Sequence, residues 1–262
     1  MCNPSPAFYN KKQIKGTKCG QMEGPILSVE KVNLQFGGLA AISDLSFDVQ
    51  SGEALGLMGP NGAGKSTLLN VISGEYKPAS GTIRFKKHNI TALAPYKICH
   101  LGIARTYQIP QPFVNLTALQ NIAVAAEYGR GLGKAAAEIE ASKILDIVDL
   151  LEKKDVFARD LAAITLKRLE LARALATSPT LLLLDEVAAG LTEEEIPRIL
   201  EILQRVREMG ITYILIEHVM RVMTKAVDKI IVVDKGVKIA EGSPNEVMED
   251  KKVIEAYLGE SA

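Results

Sequence analysis

At 262 residues the chain has room for one to two domains, and 47% apolar with 24% charged residues is an ordinary globular composition that excludes disorder and collagen-like repeats. Lysine plus arginine (31) balance aspartate plus glutamate (31), there is no tryptophan, and aromatics are only 5%, which argues against a basic, base-stacking nucleic-acid binder. Cys2, Cys19 and Cys99 form a sparse, odd set without a C-x-x-C pair, so neither a disulfide framework nor a zinc site is expected and a reducing compartment fits. No apolar run approaches the roughly 18 residues of a membrane span. Pro4, Pro6, Asn10, Lys11 and Lys12 interrupt the N-terminus before a signal-peptide core could form. The chain therefore reads as cytosolic, with any membrane role exerted through a partner.

Residues 1–24 read as a loose polar extension, with Lys11, Lys12, Lys15 and Lys18 against Glu23. From Pro25 onward the predicted elements follow in order. Ile26–Phe36 and Ser46–Val49 read as strands, and Glu53–Met58 as a short apolar strand running into a glycine-rich loop. Lys65–Ser73 then reads as a helix, with Gly81–Phe85 and Gly102–Tyr107 as further strands. Thr117–Ala176 is mostly helical in pattern, opened by a Thr117/Gln120 capping box and broken at Gly129, Gly131 and Gly133. Leu181–Leu184, Tyr213–Glu217 and Lys229–Asp234 are apolar enough to be buried on both faces, as parallel strands are. Between the first two lies a helix expected to be capped by Thr192 with Glu195. Its apolar stripe is Ile196, Ile199, Leu200, Leu203 and Val206, and Pro197 is tolerable only in its first turn. Strands alternating with helices predict an α/β fold around a parallel sheet.

Gly59-Pro60-Asn61-Gly62-Ala63-Gly64-Lys65-Ser66 matches G-x-x-x-x-G-K-[ST] at every defined position, with a strand before it and a helix after it. Gly62 and Gly64 lack a Cβ, so the backbone can curl and aim consecutive N–H groups at an anion, and the following helix adds its positive end. Lys65 would set an ammonium against β- and γ-phosphates, Ser66 would offer a hydroxyl to Mg²⁺, and Thr67 continues the cradle. A tight glycine turn before a helix would share part of this pattern, but not all of its positions and both flanks. The run Leu181–Leu184 ends in Asp185-Glu186, and ligands of a parallel sheet collect at such strand ends. Asp185 would hold Mg²⁺ and Glu186 would polarise an attacking water, unless the two acids merely cap a buried strand.

With these motifs in place, Ile26 to Glu260 resembles the nucleotide-binding subunit of an ATP-binding cassette (ABC) transporter. The resemblance implies a P-loop NTPase fold with a mostly parallel core sheet, an antiparallel β subdomain and an inserted α-helical subdomain of about residues 109–176, within one domain over 25–262. ATP and Mg²⁺ follow as cofactors. Phe36 is similar to the family's adenine-stacking aromatic. Gln108, in Arg105-Thr106-Tyr107-Gln108, is similar to its Q-loop glutamine, a metal and nucleotide contact. His218 is similar to its switch histidine, and Ala189-Gly190-Leu191-Thr192 to its D-loop. Phe36-Gly37-Gly38-Leu39, Gly102–Gln108, Ile216–Met220 and the tails Ala240–Pro244 and Glu255–Gly259 resemble the LivG-type subunits of branched-chain amino-acid importers. Urea-import and lipopolysaccharide-export ATPases share much of the pattern, and a soluble ABC ATPase without a transport role is a further alternative.

The resemblance also implies partners: a second ABC ATPase subunit of LivF type, two membrane permeases, and indirectly a substrate-binding protein, at the cytoplasmic face of the cell membrane. The surface around Gln108–Asn121, with Pro110, Pro112 and Phe113, is the expected permease dock. One departure stands out. The family's signature, close to Leu-Ser-x-Gly-Gln, falls here on Leu161-Ala162-Ala163-Ile164-Thr165, counted back without gaps from Arg168–Leu175. A methyl replaces the serine hydroxyl, and a β-branched side chain replaces the glycine. This chain's face toward the partner's nucleotide is therefore expected to be weakened, while Lys65, Asp185 and Glu186 remain for its own.

Overall fold

The computed structural model describes residues 24–258. The extension expected over residues 1–24 lies outside them apart from Gly24. Two sheets organise the chain. The first is antiparallel: β1 (Leu27–Phe36) pairs with β2 (Leu39–Val49) on one side. After β3 (Ala54–Met58) and α1 (Lys65–Ile72), β4 (Ser80–Phe85) pairs on its other side and continues into the two-residue β5 (His88–Asn89). α2 (Pro95–Leu101) leads to β6 (Ile103–Arg105). Three helices follow before the chain returns to a sheet: α3 (Ala118–Arg130), α4 (Lys134–Ile147) and α5 (Ala163–Ala176). Then come β7 (Leu181–Asp185), α6 (Ile196–Glu208), β8 (Thr212–Ile216), α7 (Met220–Ala226), β9 (Lys229–Asp234), β10 (Val237–Gly242), α8 (Pro244–Glu249) and α9 (Lys251–Leu258).

The second sheet has the order β10-β9-β3-β8-β7-β6, parallel except where β10 folds back antiparallel on β9. β3 is central, flanked by β8 and β9. Successive side chains alternate faces, and the alternation divides the interior in two. Leu55, Leu57, Leu181, Leu183, Ile214, Ile216, Ile231 and Val233 pack toward the antiparallel sheet, α1 and α2. Ala54, Met58, Leu182, Leu184, Tyr213, Leu215, Ile230 and Val232 pack toward the helices of the 118–226 region. Each buried leucine contributes about 1.5–3 kcal/mol, which explains why these strands read as unbroken apolar runs.

Several sequence expectations need correction. β2 begins at Leu39, not Ser46; Leu39 and Ala40 are both exposed and Ala41 half-buried, so its start lacks the alternation that marks a half-buried strand. β6 is only Ile103–Arg105. Gly129 does not break a helix: it lies inside α3, where an added Cβ would meet Thr177 Cγ2 at 2.7 Å, while Gly131 (φ 69) is the actual C-cap. Thr192 does not cap α6. The Glu195 carboxylate folds back to accept from Thr192 N–H (2.9 Å) and Oγ1 (3.0 Å), and the helix starts only at Ile196. The Thr117 capping box is present in both directions, and Pro197 sits in the first turn of α6, where it costs no helix bond. β5, α2, α7, β10, α8 and α9 are not among the predicted elements.

Candidate functional site

The phosphate loop leaves β3, whose five residues are all buried, at Gly59. Gly59 has φ 147, and a Cβ there would fall 1.9 Å from the Val233 carbonyl oxygen of β9, so this is the position most strictly limited to glycine. Gly64 (φ 101) is the N-cap of α1, with the Ala41 carbonyl of β2 2.4 Å from where its Cβ would lie. Gly62 (φ 76) meets nothing, so only its backbone conformation requires glycine. α1 starts with no side-chain cap and no acid in its first turn, leaving its N–H groups to an anion. Buried Lys65 donates from Nζ to the carbonyls of Gly59 (2.6 Å) and Pro60 (2.7 Å), while Asn61 and Gly62 form the exposed tip. Ala63 is buried, and Ser66 and Thr67 are half-buried. Gly59 N–H donates to the Tyr257 hydroxyl of α9 (2.9 Å), a contact sequence reasoning did not anticipate.

β7 delivers Asp185 beside this loop. Ser66 Oγ donates to Asp185 Oδ1 (3.4 Å), Arg105 Nη2 lies 3.5 Å from Asp185 Oδ2, and Asp185 N–H donates to Thr106 Oγ1 (3.1 Å). Burial pushes the Asp185 carboxyl up, opposed by the Arg105 charge and the Ser66 hydroxyl, and the Glu186 carboxylate adds to the rise. Arg105 is held in turn by Asn70, Ser73 and Glu75. Glu186 adopts a left-handed backbone (φ 52), a conformation that costs a non-glycine residue about 1–2 kcal/mol, and its N–H is tied to the Ile216 carbonyl of β8 (3.0 Å). Gln108 Nε2 donates to Glu186 Oε2 (2.9 Å), and His218 Nε2 lies 3.2 Å from Glu186 Oε1. Two residues remote in sequence, Gln108 and His218, therefore share the Glu186 carboxylate. Gln108 was expected among the metal contacts; its amide is engaged by Glu186. Phe36 ends β1, half-exposed, with its ring edge-on to Tyr76 (centroids 5.3 Å, 77°).

The Leu161–Thr165 segment forms the start of α5. Ala162 is the N-cap, in extended conformation (φ −64, ψ 153), and it offers no side-chain acceptor. Ala162 and Ala163 are exposed, Ile164 is half-buried, and Leu161 and Thr165 are buried. Phe113 presents an exposed ring with the Arg173 guanidinium 5.2 Å away, while its backbone is pinned by buried Asn121, whose amide bonds both Phe113 N–H (2.8 Å) and its carbonyl (3.1 Å). Arg105, Thr106, Lys167, Glu217 and Tyr257 are the polar residues around the site that sequence reasoning missed. Only Glu217, an acid at a strand end beside His218, carried a signal that could have found it.

Residues 42–189 match the model of the ABC transporter family, and residues 237–262 match that of the branched-chain amino acid ATP-binding cassette transporters. The chain is 35% identical over 255 residues to the high-affinity branched-chain amino acid transport ATP-binding protein LivG of Escherichia coli K12, covering 92% of this chain and 100% of that one. It is 36% identical, with the same coverage, to BraF of Pseudomonas aeruginosa, which carries the same description. Among solved structures, the ADP conformation of MJ1267, an ATP-binding cassette of an ABC transporter, superposes with TM-score 0.80 at 33% identity over 89% of this chain and 98% of that one. CbiO1 of Clostridium perfringens, part of the complex cbiONQ, gives 0.78 at 28% identity over 91% and 100%.

Proposed function

The chain belongs to the ABC transporter family of ATP-binding subunits, and on that premise we propose that it powers uptake of branched-chain or related amino acids through membrane permeases. The convergence of Gln108 and His218 on Glu186, next to a loop built to hold phosphates, carries the hydrolytic reading. The match of residues 237–262 and the LivG and BraF relatives support the substrate class.

ATP binds with its phosphates in the 59–66 loop at the N-terminus of α1. Lys65 exchanges the carbonyls of Gly59 and Pro60 for phosphate oxygens, and Phe36 stacks on the adenine. The donor set suits Mg²⁺: a hydroxyl and a carboxylate oxygen 3.4 Å apart are hard ligands, and among the described residues no cluster of three or more metal-binding side chains exists that could hold an ion without the nucleotide. Ser66 and Asp185 would hold the cation, with Gln108 adjoining, and when bound it neutralises charge on the β- and γ-oxygens. Glu186 orients a water and accepts its proton, a role worth roughly 10²–10⁴-fold. Gln108 and His218 fix the carboxylate meanwhile, and His218 then reaches the γ-phosphate.

Two such subunits sandwich two nucleotides, each completed by the other's α5 start. Because Ala162 and Ile164 weaken this chain's contribution, the partner is a different subunit of LivF type, and hydrolysis concentrates at this chain's own loop. The exposed Phe113 region docks a permease. No helix among the described residues is long and apolar enough to cross a membrane, so attachment to the cytoplasmic face runs through the permeases, which a substrate-binding protein supplies.

Reconstitution with the two permeases and the partner ATPase tests this. Leucine, isoleucine or valine, presented on the binding protein, should stimulate ATPase activity and enter the vesicles; stimulation by urea or by lipid instead would refute the substrate class. Glu186→Gln should nearly abolish turnover of the complex. If the matching change in the partner were the more damaging, the asymmetry would be wrong.

A further inference from the structure

The turn that follows β7, residues 186–189, is gripped from two sides by charged groups outside the machinery described above, one half-buried and one buried. Lys167, near the start of α5, donates from Nζ to the carbonyls of Glu186 (2.9 Å) and Ala189 (2.8 Å). Glu217, at the end of β8 and 3% exposed, accepts the Ala188 N–H at Oε1 (2.5 Å). Its Oε2 has no hydrogen-bond partner among the described residues. The carbonyls of the turn thus face a cation on a helix, and its central N–H faces an acid one residue past the end of a strand. Together they fix the peptide planes that set the left-handed Glu186.

The arrangement is costly for a merely structural tie. A buried carboxyl with an orphan oxygen and a partly desolvated ammonium both carry a penalty that neutral side chains would avoid. Burial pushes the Glu217 pKa up to about 7, opposed chiefly by the Ala188 N–H and the Lys167 ammonium. Burial lowers that of Lys167, opposed by Glu217 and Glu186. Lys167 shares a rigid helix with Ala162–Thr165, and Glu217 immediately precedes His218.

We propose that Lys167 and Glu217 are positioning residues that clasp the 186–189 turn, so that docking of the α5 start on a second subunit's nucleotide sets the Glu186 carboxylate and His218 in this one. The proposal rests on the ATPase reading, and its test separates the two. Amide hydrogen exchange of the full chain without nucleotide reads the clasp directly. Lys167→Met should speed exchange across 187–191 by at least about tenfold while leaving 59–72 unchanged, as expected when hydrogen bonds to a charged group are lost. Lys167→Arg should restore most of the protection. Glu217→Leu should speed exchange at Ala188, and Glu217→Gln, which keeps an acceptor oxygen, should not.

In the assembled complex Lys167→Met should lower kcat at least about tenfold with KM for ATP held within about twofold, because the phosphate loop is untouched. Unchanged exchange at 187–191 in Lys167→Met and Glu217→Leu would overturn the clasp, as would a lowered melting temperature with kcat unaltered. Where Lys167→Met does not fold, the Leu and Gln variants of Glu217 decide. A wild-type complex that hydrolyses no ATP while the exchange differences persist would refute the ATPase reading and leave the clasp standing.

Discussion

Replacing Ala162 by serine isolates what the altered signature segment costs. Ala162 already has N-cap geometry (φ −64, ψ 153), and Leu166 N–H already bonds its carbonyl (3.0 Å), so a serine needs no backbone change. Its Oγ would accept one of the N–H groups of Ile164 or Thr165, which no side-chain cap serves now. That gain is worth about 1 kcal/mol, or roughly 2–4 °C in melting temperature for a chain of this size. In the complex the same hydroxyl could also reach the partner's γ-phosphate, and a hydrogen bond to a charged group is worth about 1.5–3 kcal/mol, or roughly 10–150-fold in affinity. Ile164 hinders that approach, so Ala162→Ser alone should raise stability without tightening the second nucleotide. Adding Ile164→Gly should release the affinity while giving back about 1 kcal/mol of helix stability. Thermal and urea unfolding of the isolated chain read the first effect, and nucleotide titration of the complex reads the second. No rise in midpoint with Ala162→Ser would refute the capping argument. Full tightening by the single variant would refute the steric role of Ile164.

Gly59→Ala should cost at least about 3 kcal/mol, since it adds strain at φ 147 to a Cβ 1.9 Å from the Val233 oxygen; urea unfolding with a drop below about 1 kcal/mol would contradict the packing. Tyr257→Phe leaves Gly59 N–H without its acceptor and should cost about 1–3 kcal/mol, with weaker binding of a fluorescent ATP analogue as the readout. The third expectation concerns pH. Glu217 has a folded pKa of about 7, above its unfolded value of about 4.3, so the folded state binds more protons between the two. Its stabilising contribution is complete below the lower value and is lost as pH rises to the upper one. Relative to Glu217→Gln, the wild type should therefore lose about 3 kcal/mol between pH 4.5 and 7.5. A pH-independent difference in urea-derived stability would refute the burial argument.

The central strands were legible because burial on both faces leaves an uninterrupted apolar run: β9 matches its predicted bounds, β3 and β7 differ by a residue at one end, and β8 is shifted by one residue at both. The phosphate loop was legible because its glycines and lysine stand at fixed spacing. The first half of β2 was not, since residues 39–41 follow a glycine pair and are largely exposed. α2 was hidden because Pro95 reads as a breaker and only Ile98 in it is buried. At the site, Glu186, Gln108 and His218 could be named from sequence, but their sharing of one carboxylate could not. Lys167 and Glu217 act on backbone atoms of a turn 19 to 29 residues away, and a side chain that binds peptide groups leaves no partner type to search for.

The position of β3 between β8 and β9 has a consequence for biosynthesis. β3 ends at Met58, whereas its neighbours begin at Thr212 and Lys229. At about 5–20 residues per second on the ribosome, β3 waits roughly 8–30 s for its first hydrogen-bonded neighbour. Throughout that interval both edges of β3 lack their strand partners, although Leu55 and Leu57 can already pack on the antiparallel sheet and α1. Nucleotide cannot template the early steps, because the carbonyl wall that shapes Gly59 is supplied by Val233. The loop therefore takes its final shape only once β9 has joined β3.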